Sequence, residues 1–146
     1  MAEADSLAPP WAVAFLRDAR VGRLATADAG GRPLVLPVCY VFDGAVLYSA
    51  VDAKPKRTRD LRRLRNVDEN PNVSLVVDDY DEDWSRLRWV IVEGAASVIE
   101  GGEEFTRAID LLRDKYPQYR TMALDRDAGA VIRIQPARIL SWRFAQ

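Results

Sequence analysis

The most informative absence in this sequence is histidine, because its 146 residues contain none. Histidine is the commonest general base and a frequent metal ligand, so serine–histidine and cysteine–histidine relays and most zinc and iron sites are excluded. The single cysteine, Cys39, excludes an internal disulfide and a cysteine-rich zinc site, and in its apolar run it is expected to be a buried, inert thiol. If the protein is an enzyme, a bound cofactor is therefore expected to carry the chemistry.

Other absences narrow the class of protein further. No run approaches the ~18 apolar residues of a membrane-spanning helix, and the acidic start of the chain is not typical of a signal peptide. We therefore expect a cytoplasmic protein with no membrane partner. Gly-rich phosphate loops of the Walker and dinucleotide types are missing, so a phosphate would have to be held by side chains and a helix end. The net charge of −1 argues against a protein devoted to nucleic acid.

The order of apolar runs and turn residues predicts one mainly β domain over residues 1–146. Its expected architecture is a small antiparallel barrel with helical insertions. Six strands are expected over Val21–Thr26, Leu34–Phe42, Ala45–Val51, Val73–Val77, Trp89–Ile99 and Val131–Phe144, the last as one strand or as two separated at Pro136. Three helices are expected over residues 11–19, 58–70 and 103–116. Val13 and Leu16 lie on one side of the first, and the last has Phe105, Ile109 and Leu112 as its apolar stripe and Pro117 as its stop.

Several details of the strands can be tested. Short loops predict that the first three strands form an antiparallel meander, with Asp43-Gly44 as a two-residue type I′ turn. The second strand is apolar on both faces, which suits a barrel or an interface. Pro37 cannot donate to the ladder and indicates a bulge or the end of pairing. Gly94 indicates a bulge in the fifth strand.

A local concentration of positive charge lies between residues 54 and 65. Seven cations surround one acid, Asp60: Lys54, Lys56, Arg57, Arg59, Arg62, Arg63 and Arg65. They lead into a helix for which Thr58 is a candidate N-cap, so the stretch suits a phosphorylated ligand. The alternative is a solvated helix face whose arginines pair with the acids of residues 78–83, and the sequence leaves both open. A nucleic-acid interface is the weaker interpretation because no aromatic residues are interleaved with the cations.

Tryptophans are numerous for a domain of this size. Packing in the core or at an interface is favoured for Trp84, Trp89 and Trp142 over stacking on a planar ligand. The acids of residues 78–83 lack the spacing of a calcium loop and are expected to be solvated or to face a partner.

The order and spacing of the motifs from Ala19 to Phe144 resemble the pyridoxamine 5′-phosphate oxidase-like family, and within it the small actinobacterial members classed as F420-dependent oxidoreductases. The motifs that carry this resemblance are Arg20-Val-Gly-Arg-Leu-Ala-Thr26, Pro33-Leu-Val-Leu-Pro-Val-Cys-Tyr40, Asp43-Gly44, Tyr48-Ser49, Lys54-Pro-Lys-Arg-Thr-Arg-Asp-Leu61 and Asn70-Pro-Asn-Val73. The resemblance implies a split β-barrel, a homodimer, and a flavin or deazaflavin bound at the dimer interface.

The resemblance also assigns site residues. Those expected to line the cofactor ring are Leu36, Pro37, Val38, Cys39, Tyr48, Ser49, Ala50 and Val51. Those expected to hold its phosphate are Lys54, Lys56, Arg57 and Thr58, with Asp60 standing where the family more commonly has Asn. Those expected to reach the site from the partner subunit are Trp84, Arg88 and Trp89.

Coenzyme F420 is preferred over FMN because its polyglutamate tail needs more positive charge than one phosphate does. The surplus arginines that would serve this tail are Arg59, Arg62, Arg63 and Arg65. The hypothesis is a dimeric oxidoreductase that passes a hydride from reduced F420 to a small conjugated acceptor. Its catalytic residues are unassigned. The proton is expected to come from solvent or from a tyrosine, with Tyr40, Tyr48 and Tyr80 as unranked candidates. The alternatives are an FMN-dependent oxidase of a phosphorylated amine and a protein that binds the cofactor without turnover.

Overall fold

The computed structural model describes residues 8–52, 58–121 and 128–144, where one seven-stranded antiparallel sheet is accompanied by three α-helices. The strands are β1 (Gly22–Ala27), β2 (Pro33–Val38), β3 (Val41–Phe42), β4 (Leu47–Asp52), β5 (Asn72–Asp79), β6 (Arg88–Ile99) and β7 (Ala128–Arg143). The helices are α1 (Pro10–Asp18), α2 (Thr58–Glu69) and α3 (Glu103–Lys115). None of the helices in these ranges has the length and apolar character needed to traverse a lipid bilayer.

The sheet curls because its two edge strands are neighbours in the sequence. The strand order is β2-β1-β5-β6-β7-β4-β3, and only Cys39 and Tyr40 separate β2 from β3. Three Cα–Cα steps of about 3.8 Å join Val38 to Val41, so the two edges lie within about 11 Å of each other at this point. The predicted split β-barrel is confirmed.

The predicted second strand, Leu34–Phe42, is wrong in one respect, because it breaks at Cys39 and Tyr40. Its first part pairs with β1 and its last two residues pair with β4, so the first three predicted strands do not form a meander. The physical reason is Tyr116, whose hydroxyl accepts from the Tyr40 N–H at 3.1 Å and donates to the Tyr40 carbonyl at 3.0 Å. These bonds replace the ladder at Tyr40, and the break makes seven strands of the expected six.

The turn after β3 also differs from the prediction. Phe42 pairs with Leu47, so four residues form the loop, and the Asp43 carboxylate accepts from the N–H groups of Ala45 and Val46 at 2.8 and 2.7 Å. A type I′ turn at Asp43-Gly44 would need a positive φ at both residues. Only Gly44 has one, at 102°, so the prediction of that turn type is wrong.

Proline and glycine in the strands have distinct consequences. Pro37 lies opposite Arg23 in unbroken register, and the ladder ends one residue later at Val38. Pro37 causes no bulge because β2 is an edge strand, where a missing N–H need cost no ladder bond. The bulge predicted at Gly94 is confirmed by the register shift between Glu93 and Gly94. β7 is a single strand that runs through Pro136.

Two clusters of buried side chains fill the domain. The larger cluster lies inside the barrel, where alternate residues of the central strands, such as Leu24, Leu75 and Val92, pack with Leu16 of α1. The smaller cluster lies under α3 and contains the predicted apolar stripe of that helix: Phe105, Ile109 and Leu112. α1 and α3 therefore pack as the spacing of their apolar residues predicts.

Candidate functional site

The split in the barrel brings the two predicted ring-lining segments together. β2 is an edge strand, and β4 pairs with β3 only through Leu47 and Tyr48, so the later residues of β4 face the split without a strand partner there in the described chain. The Ser49 hydroxyl bridges the two sides by donating to the carbonyl of Cys39 at 2.8 Å. The edge of β2 and the edge of β4 therefore meet at a fixed spacing.

The side chains on these edges determine what a ligand would contact. Val38, Tyr48, Ser49 and Val51 are buried, whereas Pro37 is exposed. Leu36, Cys39 and Ala50 are half-buried. A ligand in the split would therefore contact mainly backbone, and unpaired strand edges offer alternating N–H donors and carbonyl acceptors. This donor set fits the polar edge of a flavin-type ring.

Polar groups of α3 and β7 hold the Tyr48 side chain in place. Its hydroxyl donates to Glu104 at 2.6 Å, and the same carboxylate oxygen accepts from Arg133 at 2.7 Å. Burial, reinforced by the hydrogen bond to Glu104, raises the pKa of Tyr48 to about 12. The hydrogen bonds from Tyr48 and Arg133 lower the pKa of Glu104. The Tyr48 hydroxyl proton is therefore held in the hydrogen bond to Glu104.

The three tyrosine candidates for proton donor are no longer equal. Tyr40 is 1% exposed and its hydroxyl donates to the carbonyl of Leu16, while burial raises its pKa. Tyr48 is buried and committed to Glu104. Tyr80 is 66% exposed, and among these three tyrosines it alone presents its hydroxyl at the surface.

Tyr116 and Lys115, at the end of α3, were not singled out by the sequence. Tyr116 satisfies the backbone of Tyr40, and the Lys115 ammonium donates to the Ala19 carbonyl at 2.7 Å while lying 4.2 Å from the centre of the Tyr40 ring. Burial lowers the pKa of Lys115 to about 8. Sequence reasoning had no signal for either residue, because their partners lie some 75 to 96 positions earlier in the chain.

Only part of the predicted phosphate-binding segment, residues 54–58, lies within the described residues. Lys54, Lys56 and Arg57 lie outside the described residues, as do the side chains of Thr58 and Arg59, although Thr58 begins α2. Their assigned roles remain predictions. The prediction that Arg63 serves an anionic tail is wrong. Arg63 is only 8% exposed, so its side chain is not available to a ligand at the surface.

The remainder of the basic stretch contributes to a cleft of about 460 Å³ between α2 and the loop that joins β1 to β2. This α2 cleft is lined by Asp28, Arg32, Arg62, Arg65, Asn66 and Glu69. Arg32 was missed at the sequence level because it precedes the basic stretch by more than twenty residues.

The alternative in which the basic helix merely pairs with the acidic segment is not supported. Within the described side chains, Asp78 pairs with Arg23 at 3.0 Å and Asp79 with Arg88 at 2.7 Å. The Asp81 carboxylate lies 3.5 Å from Arg86, and Asp83 caps the turn at Ser85. These acids are occupied locally and leave Arg62 and Arg65 without an ion pair in the described part of the chain.

Trp84, Arg88 and Trp89 lie away from the split within one chain. Ser49 is opposite Ile132 of β7, whereas Trp89 is opposite Trp142, ten residues further along that strand. Ten strand residues span about 33 Å. The Trp89 and Trp142 rings stack at 6.5 Å, and the Arg88 guanidinium lies 3.8 Å from the centre of the Phe15 ring. The indole of Trp89 thus packs against Trp142, as the packing interpretation predicts.

Comparison with known proteins gives a consistent result. The family profile described as pyridoxamine 5′-phosphate oxidase matches residues 9–143. A 5a,11a-dehydrotetracycline/5a,11a-dehydrooxytetracycline reductase of Streptomyces rimosus is 30% identical over 131 residues, which are 89% of this chain and 79% of that protein.

Two solved structures illustrate the range of proteins that share the fold. HutZ, the heme storage protein of Vibrio cholerae, superposes with a TM-score of 0.69 at 20% identity over 92% of each chain. An F420 reductase superposes with a TM-score of 0.65 at 24% identity, over 91% of this chain and 98% of that one. At these identities the two structures establish the architecture alone.

Proposed function

The chain belongs to the pyridoxamine 5′-phosphate oxidase family, and from that premise we propose that it is a homodimeric F420-dependent oxidoreductase that reduces a small conjugated acceptor. The observation that carries this proposal is the 30% identity to a reductase across 89% of the chain. The absence of histidine supports it, because a protein with few catalytic side chains of its own depends on a cofactor. The dehydrotetracycline named for that relative supports an unsaturated acceptor.

The choice of F420 over FMN rests on charge. FMN carries one phosphate, whereas F420 adds a chain of carboxylates to its phosphate. Arg62 and Arg65 lie one and two turns into α2, after the predicted phosphate-binding segment. Neither has an ion-pair partner in the described residues. This excess of guanidinium groups suits F420 better than FMN.

The chain's own groups would hold and orient the reactants. When bound, F420 would supply a hydride from its ring carbon. The backbone edges of β2 and β4 would hold the polar edge of the ring, and the bond from Ser49 to Cys39 would keep these edges at a constant spacing. The buried side chains of Val38 and Val51 would exclude water behind the ring. Tyr80, whose hydroxyl is exposed, follows β5 beside Arg88 and would reach the ring only from the partner subunit.

The proposed dimer is supported by the outer face of the sheet. Val76, Ile91 and Leu140 are neighbours across β5, β6 and β7 and point outward by strand alternation, and Val35 on β2 is 62% exposed. A groove of about 650 Å³ crosses this face between Ala25 and Arg138. An apolar sheet face of this kind is typical of a protein interface.

The charges on the same face suit a two-fold symmetric partner. A symmetric dimer brings one patch against itself, so the patch must carry both signs of charge. Glu93 with Arg138 and Arg23 with Asp78 provide them. The family resemblance places Trp84 and Arg88 near the cofactor, and only a second chain would bring them there.

Titration of the purified protein with F420 and with FMN, each followed by fluorescence, tests the cofactor. We expect micromolar binding of F420 and then oxidation of reduced F420 by one or more enones, quinones or imines. The variant Lys56→Glu with Arg57→Glu is expected to abolish this binding with an unchanged circular dichroism spectrum.

Micromolar binding of FMN with none of F420 would overturn the cofactor assignment. Tight binding of F420 with no turnover across the acceptor panel would overturn the enzymatic assignment in favour of a carrier.

A further inference from the structure

The peptide group between Cys39 and Tyr40, at the break that separates β2 from β3, is held from two sides. Its carbonyl, which belongs to Cys39, accepts from the Ser49 hydroxyl of β4 at 2.8 Å. Its N–H, which belongs to Tyr40, donates to the Tyr116 hydroxyl at 3.1 Å. In a planar trans peptide the carbonyl and the N–H point in opposite directions, so the two hydroxyls together fix the rotation of the unit. We call these two bonds the peptide lock.

Tyr116 also connects the locked peptide to the start of the barrel. Its hydroxyl lies 3.0 Å from the Tyr40 carbonyl and 2.9 Å from the Arg20 carbonyl, so its single proton is shared between these acceptors. Arg20 precedes β1 by two residues, and Gly22 at the start of β1 pairs with Val38 at the end of β2. The hydroxyl thereby joins the chain that leaves β2 to the chain that enters β1.

The Tyr116 side chain has little freedom to move. It is buried, the Arg20 guanidinium lies 4.6 Å from the centre of its ring, and the Tyr119 ring packs against it edge-on at 5.7 Å. Two hydrogen bonds tie the end of α3 to the chain before β1. The Lys115 ammonium donates to the Ala19 carbonyl at 2.7 Å, and the Arg20 guanidinium donates to the Lys115 carbonyl at 2.8 Å. The end of α3 therefore holds the hydroxyl in a fixed position.

We propose that Tyr116 is a positioning residue for the cofactor ring, because the peptide lock sets the direction of the backbone groups that the end of β2 presents to the split. This assignment rests on the proposed function, in which the ring lies against the edges of β2 and β4. Rotation of the peptide after Cys39 would redirect its N–H and carbonyl groups. Hydride transfer requires close alignment of donor and acceptor, and a shift of about 1 Å can slow a reaction by roughly 100-fold.

The lock can be measured without a cofactor, because Cys39 is the only cysteine in the chain. Its half-buried thiol adjoins the locked peptide, so alkylation by iodoacetamide reports opening of the break. We expect Tyr116→Phe to raise the alkylation rate about fivefold, the factor expected for the loss of one typical hydrogen bond. The matched control is Tyr40→Phe, which removes another buried hydroxyl, the one that donates to the Leu16 carbonyl, and leaves the lock intact. Its rate should equal that of the wild type.

A double-mutant cycle tests whether the two hydroxyls act on one peptide group. Ser49→Ala removes the bond on the carbonyl side and should raise the alkylation rate by a similar factor. Because rotation of the peptide breaks both bonds at once, Ser49→Ala with Tyr116→Phe should exceed either single variant by less than about twofold. Independent hydroxyls would instead give the product of the two factors, about 25-fold, which would overturn the lock.

Stopped-flow oxidation of reduced F420 by a saturating acceptor tests the positioning role. At saturating F420 we expect Tyr116→Phe to slow hydride transfer about tenfold, whereas the dissociation constant of F420 should rise by no more than about fivefold. Tyr40→Phe should match the wild type in both quantities. A loss of stability alone would leave the rate of the folded, saturated protein unchanged, so the rate separates positioning from a purely structural role.

Equal alkylation rates in the wild type and Tyr116→Phe would overturn the lock, and an unchanged rate of hydride transfer in Tyr116→Phe would overturn the positioning role. Both outcomes leave the proposed function standing, because they are differences between a variant and the wild type. Failure of the wild type itself to bind F420 would overturn the proposed function and the positioning role with it.

Discussion

Gly94 is the residue at which the backbone leaves no room for a side chain. A Cβ atom built on it would lie 2.2 Å from the carbonyl oxygen of Gln135 on β7, a separation that real Cβ atoms essentially never show. The register of β6 against β7 shifts at this point, where Gly94 pairs with Pro136. The bulge therefore depends on glycine for space, because the neighbouring strand approaches its Cα closely.

We predict that Gly94→Ala lowers the free energy of unfolding by about 3 kcal/mol, because the two strands must separate to admit a methyl group. Gly101→Ala is the matched control, since its Cβ would meet nothing within 4 Å. Urea denaturation of both variants measures the difference. Equal stability of the two would show that the bulge opens without strain.

Among the elements, α3 is attached by polar groups as well as by its apolar stripe. Glu104 receives hydrogen bonds from Tyr48 of β4 and Arg133 of β7, and Arg107 donates to Asp43 at 2.8 Å. The helix thus joins the β3–β4 hairpin to β7. The same contacts stiffen β4 behind the split, where its edge is proposed to hold the cofactor ring.

This attachment should weaken in alkaline solution. The pKa of Tyr48 is raised to about 12, above its ordinary value of 10, so between these pH values the folded state holds a proton that the unfolded state has released. The contribution of Tyr48 to the free energy of unfolding is therefore complete below pH 10 and is lost as the pH rises to about 12.

We predict that Tyr48→Phe lowers the free energy of unfolding by about 1 kcal/mol at pH 7 and flattens its decline between pH 10 and 12. Tyr80→Phe is the control, because that side chain is exposed. Denaturant titrations at several pH values measure both effects. A decline equally steep in the wild type and in Tyr48→Phe would contradict the role given to this hydroxyl.

For the whole molecule, the outer face of the sheet makes a prediction about assembly. Ile91→Glu places a charge at the centre of the apolar row between Val76 and Leu140, where a buried carboxylate would be costly. We expect sedimentation to show a dimer for the wild type and a monomer for Ile91→Glu. Thr106→Glu, on the exposed surface of α3, should remain dimeric. A monomeric wild type would contradict the proposed interface.

The features that sequence reasoning found are those encoded locally. The predicted helix 103–116 ends within one residue of α3 because an apolar stripe and Pro117 both mark its course. The bulge at Gly94 had an equally local signal. The break at Cys39 and Tyr40 did not, because the hydroxyl that causes it belongs to Tyr116, 76 positions away. The same holds for the candidate site. The sequence motifs identified the strand edges that line the split, but no local pattern indicated that Arg32 lies beside α2.

The position of β7 in the sheet also has a consequence for how the protein is made. This last strand lies between β6 and β4, and Leu47 pairs with Ile134 across 87 positions of the sequence. A nascent chain therefore emerges from the ribosome with β4 unable to join the sheet until β7 has been synthesised. Such distant pairing slows folding and leaves strand edges open to aggregation in the meantime. The barrel can close only after β7 has been made, so aggregation of newly made chains should be most pronounced before that point.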